Sequence, residues 1–121
     1  MSPNTSTATF DLADLLNRLD GDRELLRDLV DIFKQTFPNY LSDLRKSLDA
    51  HQAKQLEAAC HILKGMLLNL SAPRASALAG QMEILARENQ IAAVLILLPE
   101  FEAECRLLAL QLDACLVQVP S

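Results

Sequence analysis

The stretch AKQLEAACHILKGMLLNL, residues 53–70, decides the fold. On a helix each residue turns by about 100°. With His61 set at zero on that wheel, Leu56, Ala59, Leu63, Met66, Leu67 and Leu70 gather on the opposite side. They form the apolar stripe that a helix buries. Lys54, Glu57, His61, Lys64, Gly65 and Leu68 share the face turned to water. A histidine in an apolar segment is more often a packed structural residue, but here the phase places it outside.

Gly65 sits one turn after His61 on the same face. A glycine inside a helix costs about 1 kcal/mol relative to alanine, so its presence asks for a reason. With no side chain there, another backbone can come close to the imidazole. Lys64, at i+3, brings a cation within reach of anything bound to that ring. Leu68 adds an exposed apolar group beside them, suited to a docking patch. Each feature alone is ordinary, and the combination is what points to a site.

Outward from this segment the chain reads as further helices. Asp11 is placed to cap a short first helix through Leu12, Leu15, Leu16 and Leu19, which Asp20-Gly21 stops. Asp22 caps a second, whose stripe runs from Leu25 through Phe33 and Phe37 to Leu48. Pro38 inside it predicts a kink or break near Thr36 to Pro38. Ala50-His51-Gln52 is a short connection, and Ser71-Ala72-Pro73 ends the third helix. A fourth is expected from about Arg74 to Glu88. A fifth, capped by Asn89, should run from about Gln90 to Val117, interrupted or bent at Pro99. No strand pattern and no repeat is present. Connections this short make consecutive helices antiparallel neighbours, so the expected fold is all-α: an antiparallel up-down four-helix bundle with a short leading N-terminal helix. Residues 1–9 are expected to be a disordered leader, and residues 10–118 the folded domain.

The 121 residues suffice for one core and not for two. Leu and Ala dominate and aromatic residues are 4%, which favours helix over sheet. A net charge of −5 argues against a nucleic-acid partner. The longest apolar run, Ile91 to Leu98, is too short to span a membrane. It is either deep core or an interface. With no signal peptide either, the expected localisation is cytoplasmic. Cys60, Cys105 and Cys115 form no CxxC pair and suit a role as small apolar fillers. Cys60 points about 100° away from His61, so the two cannot easily share a metal ion. There is no Gly-rich phosphate loop, hence no nucleotide site and no cofactor of the chain's own.

His61-Ile62-Leu63-Lys64-Gly65 resembles the H-x-L-K-G motif of histidine-containing phosphotransfer (HPt) domains. Asn69-Leu70 follows at that family's spacing, and Ala72-Pro73-Arg74 looks like its usual start of the next helix. Phe10-Asp11, Leu15-Leu16, Gly21-Asp22 and Glu24-Leu25-Leu26 resemble the bacterial opening. The likeness covers about Phe10 to Leu116. It implies His61 as phosphoacceptor, Lys64 as the neutraliser of phosphoryl charge, and Gly65 as the point of close approach for a response-regulator receiver domain. It also implies that Glu83, on the following helix, orients the imidazole through Nδ1. Lys54, Glu57 and Leu68 would help form the docking face. The implied partners are receiver domains, which supply Mg²⁺, and a hybrid sensor histidine kinase. The chain departs from the family at Met66, Leu67 and Leu68, where small residues are common, and at Ser71, where a second glycine is usual. A helical adaptor with an inert His61 stands as the alternative, and the oligomeric state is open.

Overall fold

The computed structural model describes residues 8–118. Among them there are five helices and no strand: α1 (Leu12–Arg18), α2 (Arg23–Asp49), α3 (Ala53–Asn69), α4 (Pro73–Arg87) and α5 (Ile91–Gln118). Of the expected leader, residues 1–7 lie outside the described part. Thr9 is held to the domain, because its amide and hydroxyl both donate to Oε1 of Gln111 at 2.8 and 2.6 Å.

The long helices pack α2 on α3, α3 on α4, α4 on α5 and α5 back on α2. The contact between α3 and α4 is the most extensive. Ala75, Ala79 and Ala86 explain this, since they are buried with little bulk and let the two backbones approach. The interior is completed by Leu26, Val30 and Leu44 of α2, Leu56, Leu63 and Leu67 of α3, and Phe101, Leu108 and Leu112 of α5. On α3 the buried set matches the expected stripe with one exchange. Met66 is half-buried, and Cys60 is fully enclosed.

Neither proline breaks its helix. α2 runs unbroken through Pro38 and α5 through Pro99. Each proline removes one backbone donor. The carbonyls left without that donor belong to Lys34 and Leu95, both on exposed residues where water can reach them. Of the two outcomes expected at each site, the break therefore does not form.

All four connections share one geometry. Asp20, His51, Ser71 and Asn89 each take a left-handed backbone, with φ between 54° and 59°. In each case the amide of that residue and of the next bond back into the helix just ended, as in Asn89 to Ala86 (2.9 Å) and Gln90 to Leu85 (2.7 Å). This is the Schellman closure, which satisfies the last carbonyls of a helix. Asn89 thus closes α4 rather than capping α5, contrary to the sequence expectation. Ser71 adopts the backbone usually given to glycine, and its hydroxyl donates to Oδ2 of Asp14 at 2.6 Å. At the N-termini, Asp11 and Asp22 cap as expected, accepting from the amides of Asp14 and Leu25.

A non-glycine residue in left-handed backbone carries a penalty of about 1 kcal/mol. His51 is exposed there. Replacing it with glycine should raise stability by about 1 kcal/mol, read as a higher urea midpoint at unchanged slope. A lower midpoint would contradict the role given to this turn.

Candidate functional site

The helical phase that buries Leu63 and Leu67 turns His61 outward, and its side chain is 67% exposed. One turn along, α3 presents Lys64 and Gly65. From α4, Glu83 points across the α3–α4 contact and is itself only 8% exposed. A buried carboxylate needs partners, and it has three. Its Oε2 lies 3.0 Å from Nδ1 of His61. Its Oε1 forms an ion pair with Nζ of Lys64 at 2.8 Å. Nη2 of Arg87, one turn further along α4, lies 3.4 Å from Oε2.

Burial pushes the Glu83 carboxyl up, but the hydrogen bonds from Lys64 and His61, with their charges, pull it down by more. Its pKa therefore lies below the ordinary glutamate value. An ionised carboxylate only accepts, so Nδ1 is the donor. In the neutral ring that leaves the lone pair on Nε2, which no described residue bonds.

Gly65 leaves open space, and a Cβ built there would meet nothing within 4 Å. Leu68 is 48% exposed on the same face. Lys54, one turn before Glu57, is exposed and makes no ion pair among the described residues. Glu57 is held differently from a free docking residue, because its Oε2 accepts from Nε of Arg87 at 2.8 Å. The structure thus gathers His61, Lys64 and Glu83 into one cluster held by a hydrogen bond and an ion pair, with Glu57 joined to it through Arg87. It leaves Lys54, Gly65 and Leu68 as the open surface around them.

Two members of this arrangement escaped the sequence reading. Arg87 lies at i+4 from Glu83, a spacing that pairs opposite charges on a helix face, and that spacing was its available signal. Gly80 lies under the stem of Lys64, where a Cβ would come within 3.4 Å of Cδ. Nothing in the one-dimensional pattern marks that contact. Cys60, next to His61 in sequence, is enclosed. Burial, then the Glu83 charge, pushes its thiol up to about 12, so it stays a neutral thiol. No group of three or more His, Cys, Asp or Glu side chains among the described residues could hold a metal ion.

The Hpt domain family model matches residues 28–119, and the chain belongs to this family of histidine phosphotransfer modules. The match covers α3, α4 and α5 and most of α2, with the whole cluster around Glu83. No curated protein and no solved structure matched the chain. Among the described residues no helix is long and apolar enough to cross a membrane.

Because the Glu83 carboxyl titrates lower folded than unfolded, its pairing stabilises the fold above the ordinary glutamate value and ceases to do so as pH falls through the folded value. Glu83→Gln should therefore be less stable than wild type at neutral pH. The gap should narrow on acidification below the usual carboxylate range. Urea denaturation of both proteins across that range checks this, and a gap that widened towards acid would refute it.

Proposed function

We propose that this chain is a phosphocarrier of a multistep phosphorelay, in which Nε2 of His61 accepts a phosphoryl group from a receiver-domain aspartate, or from a kinase, and passes it to the aspartate of a response regulator. Histidine phosphotransfer in a phosphorelay is the business of the family. The observation that carries the assignment to His61 is its hydrogen bond to a buried, ionised carboxylate, made by an imidazole that is otherwise exposed.

The Nε2 lone pair attacks phosphorus, the P–O bond to the aspartate breaks, and the carboxylate leaves with its electrons. The Nδ1 proton stays on the ring, so the product is a phosphorylated imidazolium whose positive charge faces Glu83. That carboxylate fixes the tautomer before attack and stabilises the ring afterwards. Lys64 has three donors, so it can hold Glu83 and still offer a proton to the incoming phosphoryl oxygens. The bare backbone at Gly65 suits the approach of a receiver loop, and Lys54 and Leu68 border it. The receiver supplies the metal ion, and this chain supplies a placed nucleophile without a nucleotide site of its own. The four long helices act as an antiparallel up-down bundle within residues 10–118, with α3 and α4 as the working pair.

Incubation with a phosphorylated cognate receiver domain should transfer acid-labile, base-stable phosphate to the protein, and His61→Gln should accept none. Unchanged labelling of that variant would end the assignment. Gly65→Gln should slow transfer by about tenfold or more, equivalent to about 1.4 kcal/mol of barrier, while circular dichroism shows the helices intact. Transfer at the full rate would remove Gly65 from the docking face.

A further inference from the structure

The helix α5 carries apolar residues on two opposite faces, with its charged residues along the edges between them, and the chain covers only one of those faces. Val94, Phe101, Leu108 and Leu112 are enclosed. On the outer face Ile96 is 78% and Leu110 67% exposed. Leu107 is also exposed, and Ala92, Pro99, Ala103 and Ala114 complete the stripe. The apolar run read in the sequence as deep core or interface is thus divided between enclosed and exposed residues.

We infer that this outer face of α5 is an interface for a second copy of the same chain, packed antiparallel about a two-fold axis at Ala103. Going out from Ala103, the stripe residues fall 4, 7 and 11 positions away in both directions. A two-fold axis there sets Ala103 against itself, Pro99 against Leu107, Ile96 against Leu110, and Ala92 against Ala114. Small residues meet at the centre and at both ends, where the backbones can come close. Larger residues meet between them: Pro99 with Leu107 and Ile96 with Leu110. A two-fold interface requires such self-complementarity.

The edges are compatible with this pairing. On one edge Arg106, which reaches no carboxylate of its own chain among the described residues, comes level with Glu102 of the second copy, whose carboxylate already accepts from Nε of Arg45 at 2.7 Å. On the other, Glu100 comes near Glu104 of the second copy, whose charge is already met by Nε of Arg74 at 3.3 Å. From Ala92 to Ala114 the stripe is about 33 Å long. Two copies laid together bury on the order of 1,000 Å² in total, near the lower bound for a specific interface. A reversible dimer follows, not an obligate one. Both α3 and α5 pack on α2 and α4 without sharing a contact of similar extent. They therefore lie across the molecule from each other, and pairing through α5 leaves His61 open on both copies.

Sedimentation equilibrium from about 1 to 200 µM should show a monomer–dimer equilibrium with a Kd in the micromolar range. Ile96→Glu and Leu110→Glu alter exposed positions, so the fold should persist while dimerisation weakens by at least about tenfold. The register is tested with a short bis-maleimide. Ala103→Cys should cross-link to itself. Ala92→Cys should not, but it should cross-link when mixed with Ala114→Cys. Wild type is the blank, since Cys60, Cys105 and Cys115 are all buried. A monomer throughout the range, or a dimer indifferent to Ile96→Glu, would overturn the interface. Self-cross-linking of Ala92→Cys would overturn the antiparallel register.

Discussion

A single buried charge organises the α3–α4 half of this molecule. Glu83 lies within the α3–α4 contact, where an ionised carboxylate is tolerable only if its oxygens are met. The groups that meet it come from both helices: His61 and Lys64 from α3, and Arg87 from its own. The carboxylate therefore links the position of α4 to the orientation of the imidazole. Were α4 to rotate or slide on α3, the charge would lose its partners, so the register of the two helices and the state of the ring are held by the same bonds. The alanines of α4 serve this arrangement, because a bulkier face would hold the helices too far apart for Glu83 to reach across.

Much of this was readable from the chain. The wheel of residues 53–70 separated the buried stripe from the exposed face, and the structure keeps that separation apart from Met66 and Cys60. The motif at His61 identified the family, and Glu83 was reached through the resemblance. What escaped the reading has common physical causes. The expected breaks at Pro38 and Pro99 treated proline as a local rule. Both helices run on, and the carbonyl each proline leaves without a donor belongs to an exposed residue. Asn89 reads as a cap because asparagine favours helix starts, yet the same side chain tolerates the left-handed backbone of a helix end. Arg87 and Gly80 matter only once α3 lies on α4, and no pattern along one strand of sequence contains that distance.

The exposed face of α5 shows the limit from the other side. An apolar run signals burial, but it does not say by what. The chain covers the half that bears Val94 and Phe101 and leaves the half that bears Ile96 and Leu110. Only coordinates could divide the run in this way.

The connection between α3 and α4 has one more implication. Only Leu70, Ser71 and Ala72 separate the helices, and all three amides are engaged, to Leu67, Leu68 and Leu67 again. Pro73, which follows, has no amide to release. The carbonyl of Ser71 accepts from Asp11 and its hydroxyl donates to Asp14, so α1 locks the turn from outside. There is no hinge here to open. The imidazole and its carboxylate are mounted on two rods joined without slack, and little conformational entropy remains to be lost when a partner docks. Any partner that meets this face would find it already set.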